Sequence, residues 1–226
     1  MNHLLNEEQF PAGFLPAWFE ARRRHALEQA EQLPEPSRHM ESWRFGAPGN
    51  ESLEHVEAAP PAAPETLAPI IRERASMPEA LRIVYANGLP VSIPEELPEG
   101  LSVMDMEDFV LQCPDTARKY LETETETLGS EKLSALATAF QHNGLVIMAD
   151  REISLPLEIL HFISGDNVAV FPSTLLIAET GSRLRILERH ISADHGRQFC
   201  GALQQYHLSS ARARAPARTA RLQPHA

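Results

Sequence analysis

The second half of the chain is a series of short apolar segments separated by turn residues, and this pattern restricts the fold more than any other feature. The series begins at Leu145, and Gly, Asp and Asn residues separate its segments. Strands that recur roughly every 8–12 residues are typical of a β-sandwich, a barrel or a β-helix, and periodicity alone does not distinguish these. The predicted strands are 145–149, 155–163, 168–171, 174–178, 184–187 and 203–208.

The first 140 residues have a different character, in which helices predominate. Pro16 suits the first turn of a helix over 16–32, and further helices are predicted over 105–113, 116–122 and 132–141. One strand is predicted over Leu81–Tyr85, because Asn87-Gly88 is a strong hairpin turn signal and a possible partner strand follows at Val91–Ile93. Prolines concentrate near residues 46–69, which indicates a linker.

These patterns predict three regions: a mostly helical one over 1–140, a β core over 141–209 and a tail over 210–226. After Ser209 the strand pattern gives way to Ala-Arg-Ala-Arg-Ala-Pro-Ala-Arg. A repetitive β structure without a terminal cap has an exposed edge, which is a liability. We therefore expect a disordered or frameshifted tail and a chain that is a fragment.

Charge and cysteine content exclude several functional classes. The net charge is −11, and no acidic residue follows Asp194. An acidic body argues against nucleic-acid binding. Two cysteines are too few for a disulfide framework and indicate a reducing compartment. No signal peptide or membrane-length apolar run is found, so a cytoplasmic protein with no membrane contact is expected.

Several short segments occur in an order and spacing that are informative together. They are Leu33-Pro34 through Arg38, Glu41-Ser42-Trp43-Arg44, Val84-Tyr85-Ala86-Asn87-Gly88, Ser92, Leu97-Pro98-Glu99-Gly100-Leu101, Leu133 through Leu136, Ala139-Phe140, Gly144, Pro156-Leu157, Pro172 through Glu179, and Glu188-Arg189-His190. With these segments the chain resembles the SufB/SufD family of iron–sulfur cluster assembly proteins, and SufD more than SufB. The resemblance covers roughly residues 10–209.

The resemblance implies a fold and a function. It implies a helical N-terminal region followed by the first turns of a right-handed parallel β-helix, an α+β and mainly β fold that is truncated here. It implies a non-catalytic scaffold that pairs with a SufB-like chain and holds a SufC-like ATPase through a C-terminal region. The iron–sulfur cluster is then formed at the level of the complex. Because the SufC-binding region and the residues implicated in cluster formation lie late in the family's chains, we expect this chain to lack them.

One group of residues has metal-ligand chemistry: His190, Asp194, His195 and Cys200. The donor types suit zinc or iron. Their spacing, however, matches no standard site, and the segment is predicted to be a strand followed by a surface turn. We therefore assign no metal ligand, no cofactor-binding residue and no catalytic residue.

Other candidate residues have simple structural interpretations. Cys113 and Cys200 are predicted to be small buried residues, since no motif would lower their pKa. Trp43 and Arg44 are a possible interaction anchor, although packing of Trp43 on the N-terminal helix fits equally well.

Two alternative functions remain open at this point. The first is a β-helix enzyme that processes carbohydrate or acyl groups. The strands over 145–187 carry few polar residues for such chemistry, namely Glu158, His161, Glu179 and Arg185. The second alternative is a protein interaction module unrelated to cluster assembly.

Overall fold

The computed structural model describes residues 5–10, 15–43, 53–62, 64–122, 130–141 and 144–209. The tail over 210–226 and Arg44 lie outside the described residues, so the predictions made for them remain predictions. The helices are α1 (Ala17–Gln32), α2 (Pro64–Arg74), α3 (Met106–Gln112), α4 (Pro114–Leu121) and α5 (Glu131–Ala139). The strands are β1 (Glu57–Ala58), β2 (Leu81–Ala86), β3 (Leu89–Ser92), β4 (Leu101–Asp105), β5 (Leu145–Ala149), β6 (Leu157–Ile163), β7 (Val168–Val170), β8 (Ser173–Ala178), β9 (Ile186–Ser192), β10 (Gln198–Cys200) and β11 (Leu203–Leu208).

Local sequence signals explain where several helices begin. The carboxylate of Asp105 accepts a hydrogen bond from the Asp108 amide at 2.8 Å and caps α3. Ser130 caps α5 in the same way, accepting from the Leu133 amide at 3.3 Å. These side chains satisfy amides that have no partner within the first turn of a helix. The predicted helices over 16–32, 105–113, 116–122 and 132–141 are confirmed within one or two residues at each end.

The eleven strands of the described residues form three separate sheets. Sheet 1 has the order β3-β2-β6-β9, sheet 2 has the order β11-β8-β5-β4, and sheet 3 has the order β1-β7-β10. Sheets 1 and 2 each contain one antiparallel pair, β2–β3 and β4–β5, beside their parallel pairs. Each sheet therefore combines strands from the first 105 residues with strands from the second half of the chain.

The fold-class prediction of a helical region followed by a right-handed parallel β-helix is wrong. The described residues form a mixed α/β structure with three sheets of parallel and mixed strands, and they form no closed or solenoid sheet. The β-helix was expected from the family resemblance, and the strand periodicity could not test it, because a run of short apolar strands does not encode which strand pairs with which, or in what direction. The strand expected at 184–187 is also placed too early, since β9 runs over Ile186–Ser192.

One of the buried apolar clusters lies between sheets 1 and 2. Sheet 1 contributes Ile83, Leu157 and Ile159, and sheet 2 contributes Leu145 and Ile147. All five side chains are fully buried. Because side chains alternate between the two faces of a strand, the residues that alternate with these five along each strand face away from the space between sheets 1 and 2.

Helices cover the outer face of sheet 2. Val146 and Leu175 of this face pack with Met106 and Phe109 of α3 and with Phe19 of α1. Helix α1 also packs along α5. None of the described helices combines the length and the apolar composition needed to cross a membrane.

Candidate functional site

A group of polar side chains interrupts the apolar core at the paired strands β6 and β9. His161 lies on β6, and Glu188 and His190 lie on β9. In the parallel register His161 is opposite His190, and Glu188 is opposite Ile159. Because alternate residues of a strand share one face, these three side chains extend from the same face that buries Ile159. We call them the His–Glu–His cluster.

The carboxylate of Glu188 is at the centre of this cluster. Its Oε1 atom lies 3.0 Å from Nε2 of His161 and 3.7 Å from Nε2 of His190, and it accepts a hydrogen bond from the Thr174 hydroxyl at 3.1 Å. Its Oε2 atom accepts a hydrogen bond from the side-chain amide of Gln204 at 2.6 Å. Residues of sheets 1 and 2 therefore converge on one carboxylate.

The cluster is largely excluded from solvent. The side chains of His161, Glu188 and His190 are 3%, 9% and 19% exposed. A carboxylate in such a place is tolerated only when hydrogen bonds or opposite charges compensate for lost hydration. The contacts from Thr174 and Gln204 provide part of this compensation.

The surroundings alter the acid–base behaviour of the cluster. Burial raises the pKa of Glu188, but the hydrogen bonds and charges of its neighbours, His161 foremost, outweigh this and lower the pKa below its usual value. Burial, assisted by the charge of His161, lowers the pKa of His190 to about 4. At neutral pH Glu188 is therefore ionised and His190 is neutral, with one ring nitrogen free to act as an electron-pair donor.

Cys200 of β10 lies on the far side of the His190 ring. Its Sγ atom is 3.6 Å from Nδ1 of His190, whereas Nε2 of that ring faces Glu188. Burial and the nearby Glu188 carboxylate raise the pKa of the Cys200 thiol to about 12. The thiol is thus protonated at neutral pH and contacts the histidine as a neutral group.

One atom of the cluster has unused hydrogen-bonding capacity. Nδ1 of His161 is buried and has no hydrogen-bond partner among the described residues. Such atoms are rare in folded proteins, and they indicate a missing water or ion or a functional role.

Of the four predicted metal-type residues, the structure brings two together. His190 and Cys200 are in contact, whereas Asp194 and His195 lie in the exposed loop between β9 and β10. The Asp194 carboxylate accepts hydrogen bonds from the amides of Gly165 at 2.8 Å and Gly196 at 3.0 Å. Asp194 therefore holds two loops together.

Sequence reasoning did not place Glu188 or His161 in this group. From the sequence, His161 is only one of a few polar residues in the predicted strands. The signal that could have found the cluster is the alignment of the apolar segment around His161 with the one around His190. That alignment predicts a parallel pair with the two histidines opposite each other.

The remaining candidates lie elsewhere. Cys113 connects α3 to α4 and is partly buried against the cluster around Phe109. Trp43 ends a short 3-10 helix over Glu41–Trp43, and its indole nitrogen is buried with no hydrogen-bond partner in the described part of the chain. Neither residue contacts the His–Glu–His cluster through any described interaction.

A second buried carboxylate, that of Glu158 on β6, belongs to a structural ion pair. Glu158 is fully buried, and its Oε1 accepts from the Ser76 amide at 2.8 Å and from the Ser76 hydroxyl at 2.7 Å. Its Oε2 accepts from Nε of Arg82 at 2.9 Å. These contacts attach the segment after α2 to sheet 1.

Comparison with known proteins finds a distant relative among iron–sulfur cluster assembly proteins. No protein-family model matches the chain. The chain is similar to the iron–sulfur cluster assembly protein SufD of Bacillus subtilis (strain 168). The two are 25% identical over 187 residues, which is 78% of this chain and 42% of that protein. The chain therefore spans about two fifths of the length of the curated relative it matches.

This similarity agrees with the resemblance to the SufB/SufD family that the sequence motifs indicate. It does not separate the SufD branch from the SufB branch, so the closer resemblance to SufD remains a prediction.

Proposed function

We propose that the chain is a non-catalytic scaffold component of iron–sulfur cluster assembly in a SUF-type system. The observation that carries the proposal is the 25% identity to a SufD protein over 187 residues. An alignment of that length extends across helices and sheets alike, which fits a shared whole-region architecture better than one shared motif.

The edges of the three sheets support a scaffold role. Strands β9, β10 and β11 are each the last strand of a sheet, and most of their residues are half-buried. The unpaired backbone groups of an edge strand can accept another strand. Three adjacent edges offer a broad surface for a protein partner, and we propose a SufB-like chain as that partner.

The remaining features of the proposal come from the family. A SufC-like ATPase is the proposed third component, and the iron–sulfur cluster is cargo of the assembled complex rather than a cofactor of this chain. The described residues include no arrangement that suggests a nucleophile or a phosphate-binding loop, so we assign the chain no catalytic step.

A genetic experiment tests the role in cluster assembly. Expression of the gene is repressed in its own organism, and the activities of iron–sulfur enzymes such as aconitase are measured in cell extracts. We expect those activities to fall while the polypeptides remain, and chemical reconstitution of clusters in the extract to restore them. A copy of the gene that encodes His195→Gln, a change in an exposed loop, serves as the matched rescue control.

Unchanged activities of iron–sulfur enzymes after depletion would contradict the proposal. A loss of the enzyme polypeptides themselves, with no recovery on reconstitution, would contradict it as well. Those results would favour an interaction module unrelated to cluster assembly.

A further inference from the structure

We propose that His161, Glu188 and His190 form a binding site for one divalent first-row transition-metal ion. The ligand atoms are Nε2 of His161, Oε1 of Glu188 and Nε2 of His190. This proposal concerns the side chains of this chain alone, and it does not depend on the proposed role in cluster assembly.

The distances between the donor atoms fit one ion. Oε1 of Glu188 is 3.0 Å from Nε2 of His161 and 3.7 Å from Nε2 of His190. One donor atom from each residue lies within 4.8 Å of the other two. Donor atoms that each lie about 2.0–2.2 Å from a zinc-sized ion are separated from one another by distances similar to these 3.0 and 3.7 Å.

The chemistry of the donors selects the class of metal. Imidazole nitrogen suits zinc, iron, copper and nickel, whereas magnesium and calcium prefer oxygen alone. Two histidines and one carboxylate leave at least one coordination position open for water or another ligand. An ion at Nε2 of His161 takes the lone pair of that nitrogen, so the proton of the neutral ring lies on Nδ1 when the ion is bound.

Outer contacts already orient two of the three ligands. Oε2 of Glu188 accepts from the Gln204 amide at 2.6 Å, and Oε1 accepts from the Thr174 hydroxyl at 3.1 Å. These contacts hold the carboxylate in place, and a second lone pair of Oε1 can face an ion. Nδ1 of His190 lies 3.6 Å from Sγ of Cys200, so its Nδ1–H can donate to sulfur while Nε2 binds the metal. Partners of this kind fix the tautomer and the ring orientation of metal-binding histidines.

One further observation favours a site over a simple hydrogen-bond network. The imidazole rings of His161 and His190 stack with centroids 4.7 Å apart and an interplanar angle of 7°, which places two nitrogen donors side by side.

Metal titration of the full 226-residue chain tests this proposal. The protein is stripped with a chelator and dialysed, and Zn²⁺ is titrated calorimetrically. Co²⁺ is added in parallel to record its visible absorption. We expect one ion per chain for each metal. Glu188→Gln and His190→Gln should each weaken Zn²⁺ binding at least about tenfold, while His195→Gln should bind like the wild type.

A second measurement keeps the proposal testable if a variant fails to fold. X-ray absorption at the zinc edge of the wild-type protein should show two imidazole ligands and oxygen, with no sulfur. Equal Zn²⁺ affinity of folded Glu188→Gln, His190→Gln and wild type would overturn the proposal. A wild-type chain that binds no ion stoichiometrically, or a zinc spectrum with sulfur scattering, would also overturn it.

Discussion

His161 and His190 lie opposite each other in the parallel pair β6–β9, and their rings stack at 4.7 Å between centroids. Both are on the face that otherwise buries aliphatic side chains. Burial of two stacked histidines in an apolar core is unfavourable unless neighbouring groups form hydrogen bonds with the ring nitrogens. Glu188 performs that function through Oε1, which explains why the three residues occur together.

Removal of the central carboxylate should destabilise the protein. Glu188→Ala leaves the donors of His161, Thr174 and Gln204 without their acceptor inside the molecule. We expect a loss of about 2–3 kcal/mol in the free energy of unfolding, measured by urea denaturation. The matched control is Glu179→Ala, at an exposed position. Equal midpoints for the two variants would show that the network contributes nothing to stability.

Glu158 should make stability depend on pH in the acidic range. Burial raises the pKa of Glu158, but hydrogen bonds from Ser76 and the charge of Arg82 outweigh this effect and lower the pKa below 4.5. A group with a lowered folded pKa stabilises the protein above its ordinary pKa, and this stabilisation is lost as pH falls through the lowered value. Stability should therefore decline below pH 4.5 more steeply in the wild type than in Glu158→Gln.

The comparison is made by urea denaturation at a series of pH values. Glu99→Gln is the control, because Glu99 pairs with Arg151 at 2.5 Å but is 84% exposed. Its pH profile should match that of the wild type. Parallel profiles for Glu158→Gln and wild type below pH 4.5 would refute the assignment.

Arg23 should connect α1 to α5 through its guanidinium group. The side chain is fully buried, its Nε donates to the Ala139 carbonyl at 2.9 Å, and its Nη1 donates to Glu20 at 3.2 Å. The guanidinium also lies 4.2 Å from the centre of the Phe10 ring. A lysine cannot make these contacts together.

Arg23→Lys should therefore lower the free energy of unfolding by about 2 kcal/mol. The control is Arg24→Lys, where the arginine is exposed and paired only at the surface with Glu7. Thermal unfolding followed by circular dichroism measures both variants. A smaller effect at position 23 than at position 24 would contradict this account of the contact.

A pair of identical substitutions tests the position of the core. Leu157 is fully buried between sheets 1 and 2, whereas Leu155 is 39% exposed. Leu157→Ala should cost about 2–5 kcal/mol, because burial is lost and a cavity remains, and Leu155→Ala should cost much less. Chemical denaturation measures the free energy of unfolding of both variants. Similar losses of this free energy for Leu157→Ala and Leu155→Ala would mean that the core does not lie between sheets 1 and 2.

Local elements of the fold could be predicted from the sequence because their signals are local. Asn87-Gly88 predicted a hairpin, and the structure pairs β2 with β3 across these two residues, both of which have positive φ. Helix α1 was predicted from its first-turn proline and the uninterrupted run that follows. Such signals require no knowledge of distant residues.

Sheet assembly could not be predicted in the same way. Strand β2 pairs with β6 in parallel, although residues 87–156 separate them, and β4 pairs with β5 in the opposite direction. Apolar composition is the same for either direction. The pairing follows from how the whole core packs, and this information is not contained in any one segment.

The site shows the same limit. His190 and Cys200 were recognised as possible ligands because they are close in sequence. His161 joins them only through the parallel pairing of β6 with β9. Glu188 shares a face of β9 with His190 because alternate residues of a strand point the same way. Asp194 and His195 are also close to His190 in sequence, but they follow the end of β9 at Ser192 and are exposed.

The measurement that tests the central claim most directly is co-purification of the full chain with SUF proteins from its own organism. The tagged chain is co-expressed with the SufB-like and SufC-like proteins, isolated, and analysed by size-exclusion chromatography with light scattering. We predict a stable complex with the SufB-like protein in defined stoichiometry. Elution of the folded chain alone, with both SUF proteins in the unbound fraction, would contradict the proposed scaffold function.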